Sequence, residues 1–122
     1  MAADACDCDL VVIGAGPAGL SAAVYAGAEE CSVRLLDAGD KPGGQAGQST
    51  QIRNYFGFPD GITGPQLAGL GLDGALGFGV DLRSARVHGI ERVGQRFNVL
   101  AEDESFTARA VVIATGATPR PW

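Results

Sequence analysis

The sequence predicts an α/β domain: a parallel sheet of at least three strands, with a small antiparallel meander inserted ahead of the last parallel strand. Three observations predict it. Apolar runs, Leu10–Ile13 and Ala110–Ala114 without a break and Val33–Leu36 with only Arg34 inside it, suit strands buried on both faces. A glycine-rich turn leaves the first of these runs and opens a segment with helical spacing. Between residues 80 and 108, short apolar segments are separated by polar breaks, as in successive hairpins.

Size and composition bound the reading. The 122 residues, 46% of them hydrophobic, suffice for one domain with a real core. Glycine supplies 19 of the residues, well above the usual share of about 7%. That excess points to tight turns and close backbone approach. The formal net charge is −5, with basic residues scattered singly, which argues against nucleic acid as a partner. No apolar run is long enough to span a membrane. The first nine residues carry aspartates and no basic residue, unlike a secretory signal. The expected location is therefore cytoplasmic. Cys6, Cys8 and Cys31 are few and odd in number, so reduced thiols are expected. The Cys6–Cys8 spacing is neither a redox pair nor a strong metal motif, and no metal site is expected.

Taken in order, residues 1–8 read as an N-terminal tail and residues 9–122 as the domain. Leu10–Ile13 is the first strand, ended by Gly14. Pro17 suits the first turn of a helix that carries Leu20, Ala23, Val24 and Ala28 on one stripe, with Gly27 weakening its last turn. Val33–Leu36 is a second strand, ending at Asp37. Residues 38–64 hold nine glycine or proline breakers. A connection of this length usually carries function, and Tyr55, Phe56 and Phe58 are expected to anchor it onto the domain. Residues 65–79 fit a helix with leucines at suitable spacing, although Gly69, Gly71, Gly74 and Gly77 each cost about 1 kcal/mol against alanine. Val80–Leu82, Val87–Val93, Phe97–Ala101 and Phe106–Ala108 read together as the meander. Ala110–Ala114 closes the parallel sheet, stopped by Thr115-Gly116.

Gly14-Ala15-Gly16-Pro17-Ala18-Gly19 carries the chemistry. A Gly-x-Gly-x-x-Gly pattern alone is a weak signal. Here it sits between strand and helix, and Asp37 follows twenty-three positions after Gly14 at the end of the next strand, near the spacing of a Rossmann-like dinucleotide site. Gly14 permits the tight turn, Gly16 lets a pyrophosphate approach, and Gly19 lets helix pack on strand. The helix start offers unpaired N–H groups and a positive dipole end. Asp37 can accept hydrogen bonds from ribose hydroxyls and would repel a 2′-phosphate, which disfavours NADP here. NAD and FAD both remain open on these residues.

Longer stretches resemble the thioredoxin-reductase-like branch of FAD-dependent pyridine nucleotide-disulfide oxidoreductases. The resemblance rests on Gly14–Leu20 with Ala22-Ala23-Val24-Tyr25-Ala26, on Gly43-Gly44-Gln45, on Asn54–Pro59 with Gly61-Ile62-Thr63-Gly64, and on Val112–Ala117. It covers residues 9–120. In that family this site holds FAD. The resemblance implies that Gly14, Gly16, Pro17, Ala18 and Gly19 line the pyrophosphate and Asp37 holds the adenosine ribose. It implies that Gly44 and Gln45 lie along the flavin, with Asn54 reaching the ribityl chain or ring. Val87 would face the adenine, and Ala114, Thr115 and Gly116 would close over the pyrophosphate. The implied function is the FAD-binding portion of a flavoprotein that passes hydride or electrons from NAD(P)H through FAD to a disulfide or other acceptor. The alternative is a non-catalytic dinucleotide-binding module or an inactive remnant.

Some family features are missing from the sequence. No Cys-x-x-Cys and no second glycine fingerprint for NAD(P)H occur within the 122 residues. The family's closing segment of the FAD domain is not represented either, so the domain reads as incomplete at its C-terminal side. Expected consequences are weakened FAD affinity and exposed apolar surface near the last strand. NAD(P)H becomes a co-substrate only if a second chain or further region supplies its site. A homodimer is a possible assembly. Arg53 stands where the family often has an acid. His88 is the only histidine, Ser21 follows no nucleophile elbow, and no catalytic residue is assigned.

Overall fold

The computed structural model describes residues 6–39 and 51–116. Strand β1 spans Cys8–Ile13, helix α1 Pro17–Ala28, β2 Val33–Asp37, helix α2 Gly64–Gly77, β3 Asp81–Ser84, β4 Val87–Val93, β5 Arg96–Ala101 and β6 Ser105–Ile113. The first strand thus begins at Cys8, one residue inside the expected tail. All six strands form one sheet in the order β3-β2-β1-β6-β5-β4. The strands β3, β2, β1 and β6 run parallel, while β5 pairs antiparallel with β6 and with β4.

The expected parallel sheet with its meander is present, and two details differ. The segment around Leu82 does not belong to the meander: it is the parallel edge strand β3, with Leu35 opposite Leu82. A chain that leaves β2 and returns through a helix arrives in the same direction. A segment this short, with Val80 and Leu82 around Asp81, could not reveal its partner. The second difference concerns Phe106–Ala108 and Ala110–Ala114, which are one continuous strand. In β6, Phe106 opposes Val99 of β5, whereas Val112 opposes Val12 of β1. The polar Arg109 between the two runs is exposed, which a strand tolerates without breaking. The third strand of the meander is therefore also the last parallel strand.

Two apolar layers sandwich the sheet. Val12, Val33 and Leu35 pack with Leu20 and Ala23 of α1, Ala75 of α2, and Val80. On the opposite face, Val11, Ile13 and Leu36 pack with Val99, Phe106 and Ala108, so the meander curls over that side. Burial on both faces explains the unbroken hydrophobic run of β1. Each fully buried Val or Leu contributes about 1.5–3 kcal/mol. At the end of β6, Ile113 remains 67% exposed, in line with the apolar surface expected there.

The helices end alike and begin differently. Both close with paired bonds to the carbonyls of the last turn: Glu30 N–H to Gly27 and Cys31 N–H to Ala26 after α1, Gly79 N–H to Leu76 and Val80 N–H to Ala75 after α2. This is the Schellman arrangement, with Glu30 at φ 66° and Gly79 at φ 81° in the left-handed position. Gly27, expected to weaken α1, is buried, and a methyl there would lie 2.9 Å from the Phe78 Cβ. It is a contact point between α1 and the end of α2.

Candidate functional site

The turn after β1 is built by backbone contact. Gly14 has φ +105°, and a side chain on it would strike the carbonyl of Ala114. A methyl on Gly19 would strike the carbonyl of Gly14. The turn is bolted to both neighbouring strands: Gly14 N–H donates to Leu36 at 2.7 Å, and Ala114 N–H donates to Ile13 at 2.8 Å. Gly14 and Ala114 thus meet backbone to backbone. Thr115 and Gly116 follow, exposed, with Gly116 at φ +74°.

At the start of α1, no side chain caps the helix, and Gly16 stands at the cap position with extended backbone. Leu20 N–H donates to Gly16 at 2.9 Å. The N–H groups of Ala18 and Gly19 have no acceptor among the described residues. Pro17 has no N–H to satisfy. Orphan amides at the positive end of a helix dipole form an anion site.

Asp37 lies beside this turn. Its Oδ1 accepts the Ala15 N–H at 3.1 Å and its Oδ2 accepts the Gly39 N–H at 3.2 Å. Next to it opens a hollow of about 240 Å³, lined by Ala38, Ser84, Ala85, Arg86, Ala101 and Glu102–Glu104. The Ala85 N–H donates to the Asp37 carbonyl at 2.9 Å, which ties the hollow to the strand end. Val87 packs against the core cluster of the meander face, while its neighbours Ala85 and Arg86 line the hollow. Arg86 and Glu102-Asp103-Glu104 are charged residues of the kind that usually face solvent. They are exposed, with Arg86 3.7 Å from Glu102, and they also rim this hollow. Only the strand order brings residues 84–86 and 101–104 to Asp37, so no local signal could have named them.

Residues 51–63 form a loop closed by an antiparallel bridge between Ile52 and Ile62. Tyr55 and Phe58, with ring centroids 6.1 Å apart, face the helices across a groove, with Tyr55 still 42% exposed. Phe56 does not: it is 96% exposed, because the turn at 55–58 directs successive side chains to different sides. Asn54 is exposed and makes no hydrogen bond to a described residue. Gly44 and Gln45 lie outside the described residues. A groove of about 330 Å³ separates this loop from the helices, with Pro17, Ser21, Val24 and Tyr25 on one side and Leu67, Leu70 and Gly71 on another.

A family model described as pyridine nucleotide-disulphide oxidoreductase matches residues 8–122. The chain belongs to this family. Thioredoxin reductase of Mycolicibacterium smegmatis is 39% identical over 92% of this chain and 36% of its own length. Thioredoxin reductase of Listeria monocytogenes is 37% identical over 92% of this chain and 34% of its own. Among solved structures, thioredoxin reductase of Lactococcus lactis superposes with a TM-score of 0.89 at 38% identity, covering 94% of this chain and 37% of that one. That of Streptococcus pyogenes does so at 0.88 and 41% identity. The chain spans about a third of the length of these relatives.

The cysteines stand apart from the turn. Cys31 is exposed, Cys6 half-buried and Cys8 buried. Burial pushes the Cys8 thiol above its ordinary pKa, which keeps it protonated and unreactive. Among the described residues, no cluster of metal-ligating side chains occurs and no helix is long and apolar enough to cross a membrane.

Proposed function

We propose that this chain is the FAD-binding portion of a thioredoxin-reductase-like oxidoreductase. The observation that carries the reading is the uncapped start of α1 beside Gly14 and Asp37. The available groups fit the ADP half of FAD. Free Ala18 and Gly19 amides suit a diphosphate, and backbone packed without side chains at Gly14 and Gly19 gives it room to approach. An ionised carboxylate has about four acceptor positions; Asp37 uses two on amides and keeps two for ribose hydroxyls.

Gly14, Gly16, Pro17, Ala18 and Gly19 would hold the diphosphate, with Ala114, Thr115 and Gly116 closing over it. The adenine would enter the hollow near Val87, by way of Ala38 and Ala85. Asn54, with its amide uncommitted, would bind toward the flavin, as would Gly44 and Gln45 on the strength of the resemblance. FAD would supply hydride acceptance and onward electron transfer; the chain's residues bind and orient it. No residue is assigned proton transfer or nucleophilic attack. The NAD(P)H site and the disulfide or other acceptor are proposed to reside in the part of the relatives' length that this chain does not span, or on a second chain.

The test is direct. The purified chain is mixed with FAD, and thermal shift and retained visible flavin absorbance are measured. Binding with a raised Tm is expected. A folded chain that stays colourless and unshifted in excess FAD sinks the reading. If flavin is retained, NADPH is then added. Bleaching without a partner would show that the chain houses its own nicotinamide site, whereas persistent colour assigns that site elsewhere.

A further inference from the structure

We infer that Asp37 is a positioning residue that braces the glycine turn, in addition to any contact it makes with a ribose. Its carboxylate joins two backbone amides from different parts of the chain. Oδ1 takes the Ala15 N–H at 3.1 Å and Oδ2 takes the Gly39 N–H at 3.2 Å. Ala15 is fully buried and lies between the two glycines that shape the turn. A buried N–H needs a partner, and among the described residues Asp37 is the one that supplies it.

The brace has a rigid footing. The Asp37 backbone carbonyl accepts the Ala85 N–H at 2.9 Å, and Asp37 stands opposite Ser84 in the β2–β3 pair. The preceding turn residue is held by main chain alone, Gly14 N–H to Leu36 C=O. One side chain therefore links the end of β2 to the turn that sets where the Ala18 and Gly19 amides lie. Removing it should loosen the anion site even for a ligand that has no ribose hydroxyl to offer.

That consequence separates bracing from ribose binding, and the ligand half of the test rests on the FAD reading above. Asp37→Ala removes both acceptors. Asp37→Asn keeps Oδ1 for the Ala15 N–H and loses the charge. The 122-residue chain and both variants are titrated with ADP and with 2′,3′-dideoxy-ADP, and amide hydrogen exchange at Ala15 is followed by NMR without nucleotide. Expected for Asp37→Ala are Ala15 exchange at least tenfold faster and dideoxy-ADP affinity about tenfold weaker. Asp37→Asn should restore both to near the parent values while remaining weaker for ADP. Parent-like Ala15 exchange and parent-like dideoxy-ADP affinity in Asp37→Ala overturn the brace. Should Asp37→Ala fail to fold, Asp37→Asn decides: slow Ala15 exchange supports the brace and fast exchange overturns it. A parent chain that binds neither nucleotide defeats the FAD reading, while the exchange measurement still rules on the brace.

Discussion

The two helices begin with the same local sequence logic and reach opposite ends. Both have a glycine followed by a proline in the first turn, Gly16-Pro17 and Gly64-Pro65. In α2 the chain satisfies its own amides: the Thr63 side chain accepts the Gln66 N–H at 3.2 Å, and the Gln66 side-chain oxygen accepts the Thr63 N–H at 3.1 Å. In α1 the cap position is Gly16, which has no side chain to offer. A closed helix start contributes stability, and an open one is free to bind. The glycines divide the same way. Gly14 and Gly19 of the turn press on backbone, whereas Gly69 and Gly77 of α2 have nothing within 4 Å of an added methyl.

Five substitutions can break or sharpen this contrast. The largest effect is expected from Gly19→Ala, whose methyl has only the Gly14 carbonyl to push against; overpacking against backbone should cost about 3 kcal/mol. Urea unfolding measures it, and a change within experimental error would show that the turn is looser than its contacts imply. Next is Gly16→Ser, which installs a cap on α1. The serine oxygen would take one of the open amides, lowering FAD or ADP affinity about tenfold while raising Tm slightly. Unchanged affinity by calorimetry would mean that the helix start does not hold the nucleotide. Thr63→Ala should do the reverse, costing about 1 kcal/mol of stability with nucleotide affinity intact. Smaller again is Gly69→Ala, expected to stabilise by somewhat under 1 kcal/mol as a rise in Tm. Gly71→Ala should gain less, because its methyl would sit 3.3 Å from Leu20 Cδ1.

Much of the scaffold was legible because it rests on local rules. The β1 run is apolar at four successive positions, which only a strand covered on both faces requires, and both faces are covered. The break after Ile13, Pro17 at the helix start and Asp37 at the strand end all stand where their residue types predict. The site was legible to the extent that it is a strand–turn–helix unit. Asp37 was read as a ribose ligand, and its two bonds to Ala15 and Gly39 were not foreseen, since a side-chain acceptor can serve any amide within reach. Phe56 was misread for a similar reason. Its hydrophobicity said buried, but the local turn geometry faces it outward.

Sequence by itself determined the elements and the chemistry of the turn, because glycine conformation, helix starts and two-sided strand burial are set by residues near one another. Tertiary structure alone decided which strands became neighbours. It made Leu82 part of the parallel edge, merged Phe106 and Val112 into one strand, and carried residues 84–86 and 101–104 to the rim beside Asp37. Those outcomes depend on pairing between residues far apart in the chain, where many short apolar segments are interchangeable and only the packing of both sheet faces selects among them.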